Sequence, residues 1–438
     1  MSQAKKTVGI FTLGCKVNQY ESEAIAERFS ARGYEILPPS DICDVYIINT
    51  CTVTAESDRK ARQIIRRAIA KNPDAFVLVT GCLSETSPES LARIEGVDYI
   101  GGNADKCSIV DAADRLVKAR RKNQNAQTRI LPLDNAPFEA MSIKKFDRTR
   151  AYIKIEDGCE SHCTYCIIPK ARGYIRSKHP LDVLDEVRAL TAGGCREIVL
   201  TGIETASYGK DLDGYTLADL LEEVDRIPNI GRVRLGSLDP SLMKQSFVDR
   251  IASLPSIAPH FHLSMQSGSD NILRLMKRKY NVNMALENIE RLRRAMPRVM
   301  LTTDMIVGFP NESEEDFART LDFARQAEFL MIHVFPYSSR RGTPAATMSG
   351  QIPMEIRRER AAKLSELEAS IRKNVLEREI REAPVSEVLF ETYKNGYAYG
   401  HTANFIEVRA KSDRDLRANT KSVRLLHTDG NTVTAEIL

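Results

Sequence analysis

Apolar residues fall in short runs along the first hundred positions, separated by stretches of helical periodicity. Val8–Leu13, Val45–Asn49 and Phe76–Thr80 read as strands, and Val97–Ile100 as a fourth. Glu21–Ser30, with Ala24, Ile25 and Phe29 on one face, and Arg59–Lys71 read as helices. This βαβα rhythm predicts a doubly wound, mostly parallel sheet. A second series starts at Ala151. Its strands are Tyr152–Glu156, Glu197–Thr201, Arg232–Leu235, His260–Met265, Met300–Ile306 and Leu330–Phe335. Helices fall between them, one opening at Pro180, the others over Leu217–Arg226, Met284–Ala295 and Glu314–Gln326. An eight-unit barrel needs about 250 residues. This stretch is shorter, so an open (β/α)6 barrel is expected.

Glu355–Glu382 reads as one long charged helix, and after Pro384 the period changes to two. Val385–Glu391, Tyr397–Thr402, Phe405–Ala410, Ser422–His427 and Thr432–Ile437 alternate, with the turn Asp429-Gly430-Asn431 between the last two. Such strands close into a small antiparallel β-barrel of the kind that binds nucleic acid. The fold class is therefore α/β. The expected domains are 1–115, a linker over 116–150, a barrel with its trailing helix over 151–383, and the β-module over 384–438.

Charge sharpens the picture at one place. The net charge is only +4, but ten Lys/Arg face three acids between Arg115 and Arg150. That stretch suits either a solvated linker or a contact with a phosphate backbone. No apolar run resembles a signal peptide or is long enough to span a bilayer, so a cytoplasmic protein with no membrane partner is expected. Nine cysteines in a reducing compartment point to metal binding or catalysis before disulfides.

Cys159-x3-Cys163-x2-Cys166 is the strongest chemical signal. A closed zinc site wants four ligands, and the further candidates are His162, His179 and Cys195. Most four-iron clusters take four cysteines. Three leave one iron open to the amino and carboxylate groups of S-adenosylmethionine (SAM), whose one-electron cleavage yields a 5′-deoxyadenosyl radical. The motif follows the first barrel strand, at the end where such barrels place chemistry. A Cys3His zinc site is the alternative.

Cys15, Cys51 and Cys82 are far apart in sequence, yet each follows a strand of the first domain. The ends of parallel strands gather at one edge, where ligands bind. A second three-thiolate site is expected there. Cys43, Cys107 and Cys195 share no such pattern and read as structural.

Leu13-Gly14-Cys15-Lys16-Val17-Asn18-Gln19-Tyr20-Glu21-Ser22, Asn49-Thr50-Cys51, Gly81-Cys82 and Gly158-Cys159 through Cys166-Ile167-Ile168-Pro169 resemble the radical SAM methylthiotransferases. The resemblance covers nearly the whole chain, and its domain order ends in a TRAM β-module. It implies two [4Fe-4S] clusters: an auxiliary one on Cys15, Cys51 and Cys82, and a SAM cluster on Cys159, Cys163 and Cys166. It also makes SAM-pocket candidates of Tyr165, Thr201, Gly202, Glu204, Gln266, Ser267 and Asp304. After Ala171-Arg172-Gly173 the family often carries another arginine, where this chain has Tyr174.

Lys16-Val17-Asn18-Gln19 after the first cysteine resembles the branch that converts N6-threonylcarbamoyladenosine at tRNA position 37 to its 2-methylthio derivative. The other branches act on isopentenyladenosine in tRNA or on a ribosomal-protein aspartate. The implied partners are the anticodon loop of ANN-decoding tRNA, an electron donor such as flavodoxin or ferredoxin, and an unidentified sulfur donor. The TRAM module is the implied tRNA grip, helped by basic residues of the linker and long helix. A non-catalytic RNA-binding protein with structural zinc is the reading from another class.

Overall fold

The computed structural model describes residues 5–119, 125–146 and 149–438. Arg120, Arg121, Lys122, Asp147 and Arg148 of the basic stretch lie outside them. Six parallel strands form the first sheet, in the order Glu35–Leu37, Thr7–Thr12, Val45–Thr50, Phe76–Gly81, Tyr99–Gly101, Gln127–Arg129. Val45 and Ile47 face the helices Lys16–Ala31 and Ser108–Ala119, while Tyr46 and Ile48 face Ala55–Lys71. The alternation buries every residue of the central strand Val45–Thr50, as a sheet covered on both faces requires.

Two departures from the sequence expectation have physical causes. The first helix opens at Lys16, before its apolar pattern begins, because Asn18 and Glu21 in its opening turns are polar yet buried. The segment read as a linker carries the sheet's sixth strand, Gln127–Arg129, whose three residues are polar and exposed and so give no apolar signal. The basic stretch is also no continuous patch. Arg129 pairs with Asp105 and Arg150 with Glu197, while Arg115, Lys118, Lys144 and Lys145 remain exposed among the described residues.

Six parallel strands make the open barrel, with residues 232–238 counted as one strand that breaks at Gly236. Arg150–Lys154, Glu197–Thr201 and Arg232–Leu235 form one sheet; Ser237–Leu238, His260–Gln266, Met300–Val307 and Met331–Pro336 form the next. The two sheets join at Gly236, in one continuous stretch of chain. Helix Lys16–Ala31 packs on one edge strand, Arg150–Lys154, and the 29-residue helix Met354–Glu382 packs on the other, Met331–Pro336. No described helix is long and apolar enough to cross a membrane.

The five C-terminal strands, Val385–Lys394, Tyr397–Thr402, Glu407–Lys411, Thr420–Thr428 and Val433–Ile437, close into the expected small barrel. It docks at the N-terminal ends of the large barrel's strands. Phe405 stacks on His260 (ring centroids 4.3 Å apart), with Arg234 over its ring at 4.9 Å. Arg234 also donates to the carbonyls of Thr402 and Ala403, each at 2.9 Å. Glu197 anchors this junction, pairing with Arg234 at 2.8 Å, Arg232 at 3.0 Å and Arg150.

Burial alone would raise the Glu197 carboxyl, but Arg234, Arg150 and Arg232 outweigh it and hold its pKa below 4.5. The stability it contributes is therefore complete above that value and disappears as pH falls through the lowered folded pKa. Glu197→Gln removes the shared counter-ion of Arg232 and Arg234 and leaves Arg150 with Glu391 alone. The expected cost is about 3–5 kcal/mol at neutral pH, read from urea unfolding, and it shrinks as the wild type is titrated below about pH 4.

Candidate metal and SAM centre

The first cysteine triad is assembled by the sheet. Thr7–Thr12, Val45–Thr50 and Phe76–Gly81 are neighbours, and Cys15, Cys51 and Cys82 follow their C-terminal ends. Strand order reverses between the first two, and such switch points are where open sheets bind ligands. Two glycines permit the convergence. Gly14 has φ +97°, and a Cβ there would lie 2.9 Å from Cys51 Sγ. Gly81 has φ +100°, and its Cβ would lie 2.4 Å from the Thr50 carbonyl oxygen. Asn18 then ties the loops together, donating to the carbonyls of Leu13 (2.6 Å) and Thr50 (2.9 Å). The three sulfurs sense one another: Cys82 raises the pKa of both Cys15 and Cys51.

The second triad sits on the loop after the first barrel strand. The Cys159 N–H donates to Gly173 O (3.0 Å), and the Cys166 N–H to Cys163 O (3.0 Å), which curls the loop. All three cysteines border a cavity of about 590 Å³ that also touches His162, Tyr174 and Glu85 of the N-terminal domain. Arg278 donates to Cys163 Sγ at 3.1 Å and pairs with Asp239 at 2.8 Å. Glu204 accepts from the Cys159 thiol (3.1 Å) and the Ser161 hydroxyl (2.9 Å).

The donor sets suit a cluster better than a single ion. Among the described residues, the one trio of His, Cys, Asp or Glu ligand atoms mutually within 4.8 Å is His262, Asp304 and His333. A zinc ion with Zn–S of about 2.3 Å would hold sulfurs only about 3.8 Å apart. Both cysteine triads are wider than that and consist of sulfur alone. Of the further zinc candidates, Cys195 is buried and donates to Glu197 O at 3.2 Å, and His179 is exposed at a helix start. Only His162 borders the triad's cavity. Burial pushes the Cys51 thiol up to about 11 and that of Cys166 to about 12. Such thiols stay protonated at neutral pH until a soft metal displaces the proton.

A buried ionic network joins the two triads, and nothing in the apolar pattern announced it. Arg172, fully buried, donates from Nε to Cys82 Sγ (3.3 Å), from Nη1 to Glu21 (2.6 Å) and from Nη2 to Asn18 Oδ1 (2.5 Å). Glu21 also pairs with Lys106 and, at 3.1 Å, with Lys154. Asp157, two residues before Cys159, pairs with Lys154 and Arg172 at 3.2 Å each. Burial pushes the Glu21 carboxyl up, but Arg172, Lys106 and Lys154 together hold it well below the usual range. Glu21 and Arg172 both lie within the quoted motifs, which was the one available signal for them. Arg278 lies outside those motifs and carried none.

The SAM-pocket candidates separate into two groups. Tyr165, Gln266 and Asp304 border one cavity of about 190 Å³. Gln266 holds φ +66° at a bulge in its strand, a strained conformation of the kind found at ligand sites. Glu204 stands at Cys159, and Gly202 leaves room for the buried Glu156 carboxyl, which a Cβ would approach to 2.5 Å. Thr201 and Ser267 turn inward instead. Thr201 packs against Gly236, and Ser267 Oγ accepts from the Ser269 N–H at 3.2 Å.

Residues 153–324 match the Radical SAM superfamily, and residues 7–102 match Uncharacterized protein family UPF0004. The chain is 39% identical, over 96% of its length and 94% of the relative's, to threonylcarbamoyladenosine tRNA methylthiotransferase MtaB of Bacillus subtilis. The chain belongs to the radical SAM methylthiotransferase family. It is also 32% identical to the tRNA-2-methylthio-N(6)-dimethylallyladenosine synthase of Aquifex aeolicus, over 98% of each chain. Among solved structures, the radical SAM methyltransferase TsrM of Kitasatospora setae shares the fold, with a TM-score of 0.56 at 16% identity over 78% of this chain and 77% of that one. Membership makes this methylthiotransferase an enzyme of SAM and a [4Fe-4S] cluster.

Proposed function

We propose that this methylthiotransferase converts N6-threonylcarbamoyladenosine at position 37 of ANN-decoding tRNA to its 2-methylthio derivative. Cys159, Cys163 and Cys166 hold the SAM cluster. Cys15, Cys51 and Cys82 hold a second [4Fe-4S] cluster. When bound, these groups supply a hydrogen-abstracting radical and sulfur transfer; electrons come from a donor such as flavodoxin or ferredoxin. The observation that carries the two-cluster reading is the pairing of two all-sulfur triads, one per domain, joined by Arg172 and Glu21. The threonylcarbamoyl substrate is supported by the 39% identity to the Bacillus subtilis enzyme of that name, and by Lys16-Val17-Asn18-Gln19.

The chain's own residues act by positioning. Arg278 and Arg172 donate to Cys163 and Cys82, which lowers the electron density on those sulfurs. Tyr165, Gln266 and Asp304 are offered as SAM contacts, and Glu204 as a group that orients the Cys159 loop. The TRAM-like barrel is offered as the tRNA grip, so binding weakens as salt rises. Nucleoside mass spectrometry of tRNA from a strain lacking the gene tests the substrate. Loss of 2-methylthio-N6-threonylcarbamoyladenosine is expected; an unchanged profile rejects the reading.

A further inference from the structure

The loop that follows the last barrel strand, residues 337–347, carries no cysteine yet touches the loops of both triads. Arg340 reaches the N-terminal domain. Its Nη2 donates to Thr52 Oγ1 at 2.6 Å and to Asp58 Oδ2 at 2.7 Å, and the Thr52 hydroxyl donates to Asp58 Oδ1 at 2.7 Å. Thr52 is fully buried and directly follows Cys51. Ser338 Oγ accepts from the Ala55 N–H at 3.2 Å, at the start of helix Ala55–Lys71. Further along, the Ala345 N–H donates at 2.8 Å to the carbonyl of Thr164, which stands between Cys163 and Cys166. Lys170 holds the middle of the loop, donating from Nζ to Gly342 O at 2.6 Å.

The same loop walls both cavities of the site. Gly342 and Pro344 border the larger one beside Cys159, Cys163 and Cys166. Tyr337 and Ser338 border the smaller one together with Val53 and Thr54 of the Cys51 loop and the SAM candidates Tyr165, Gln266 and Asp304. Arg172 ties the triads once, through Cys82; the Arg340 loop ties them a second time, through the residue after Cys51. The Arg340–Asp58 pair is largely enclosed, with side chains 12% and 15% exposed, so it is less screened than a surface pair, and its charge-assisted bonds fix a direction.

We propose that residues 338–345 are a strap that fixes the spacing of the two cysteine triads, and that Arg340 is a positioning residue coupling SAM cleavage to sulfur attachment. The inference rests on the two-cluster reading above. Arg340 acts through Thr52 and Asp58, not on the substrate itself. Hydrogen abstraction at one triad is productive only while the activated carbon lies within reach of sulfur at the other, and a misplacement of about 1 Å can cost about a hundredfold in rate. With the strap slack, SAM is still cleaved but sulfur attachment fails to follow, so 5′-deoxyadenosine outruns the methylthio product.

The test uses anaerobic, cluster-replete holoenzyme and whichever stem–loop, threonylcarbamoyl or dimethylallyl, the wild type methylthiolates. It counts 5′-deoxyadenosine released per methylthio group formed. Arg340→Ala is expected to raise that ratio about tenfold, with iron still at about eight per chain. Arg340→Lys should restore part of the coupling, since it keeps the charge but not the guanidinium fork. Asp58→Asn should raise the ratio in the same direction, and it keeps the test decisive if Arg340→Ala fails to fold. The double variant should be no worse than Arg340→Ala alone, because the two residues form one link. Hydrogen exchange of the holoenzyme adds a readout apart from turnover: amides of residues 52–58 and 338–345 should exchange faster in Arg340→Ala, and those of Phe76–Gly81 at the wild-type rate. A parallel fall of both products at constant ratio is what a merely structural role gives, and it overturns the strap. An unchanged ratio with about eight irons overturns it too and leaves the two clusters standing. About four irons in the wild type removes the two-cluster reading, and the strap with it.

Discussion

Replacing Cys15, Cys51 and Cys82 together with alanine is expected to abolish methylthio transfer while leaving SAM cleavage intact. Each triad belongs to its own domain, on its own loops, so removing one leaves the other's ligands in place. Iron in anaerobically purified protein should fall from about eight to about four per chain, with the brown colour halved rather than lost. Reductive cleavage of SAM to 5′-deoxyadenosine should persist. Replacing Cys159, Cys163 and Cys166 should give the opposite pattern: about four irons and no cleavage at all. Sulfur insertion surviving in the first variant would remove the second cluster from the mechanism.

Arg172→Ala should produce the largest loss of stability of any single change at the site. The side chain is fully buried and reaches Cys82, Asn18, Glu21 and Asp157 at once. Without it, the buried carboxylates of Glu21 and Asp157 are left with Lys106, Lys154 and Arg176, and the expected cost is about 3–5 kcal/mol. Arg172→Lys should recover only part of that, because a single ammonium cannot satisfy contacts that the guanidinium makes from three nitrogens. Urea unfolding measures the loss, and iron content shows whether the N-terminal triad still holds its share. Since Glu21 is held well below its usual range, its contribution is complete at neutral pH and vanishes in acid. The gap between wild type and Arg172→Ala should therefore close as pH falls. A variant as stable as wild type, with full iron, would show that the network is dispensable.

Much of the architecture was legible in the sequence because packing writes a period into it. The central strands of both sheets are apolar runs, and the C-terminal module alternates, since one face of each strand lines a closed barrel. What carried no signal was structure set by polar or tertiary forces. The edge strand Gln127–Arg129 is polar throughout, and the six-residue helix Asp270–Leu275 spans too few turns to display a face. Phe405 reads as an ordinary strand residue, yet it closes the base of the large barrel because a second domain docks there.

The site divides in the same way. The placement of Cys15, Cys51 and Cys82 just past strand ends could be read directly, since parallel strands share one C-terminal edge. The Arg172–Glu21 network could not, because a charged residue in a helix is ordinarily read as exposed; only the fold shows that Glu21 and Arg172 meet in the interior. Thr201 and Ser267 were reached by the rule that small polar residues at strand ends meet ligands. Their hydroxyls turn into the protein instead, against Gly236 and the Ser269 backbone.

The most direct measurement is a single anaerobic reaction: reconstituted enzyme, SAM, a low-potential reductant and a stem–loop carrying N6-threonylcarbamoyladenosine, followed by nucleoside mass spectrometry. The expected product is the same nucleoside with its C2 hydrogen replaced by a methylthio group, formed with 5′-deoxyadenosine. A stem–loop carrying dimethylallyladenosine should remain unmodified. Methylthiolation of the dimethylallyl nucleoside instead, or SAM cleavage with no sulfur attached to either RNA, would contradict the assignment.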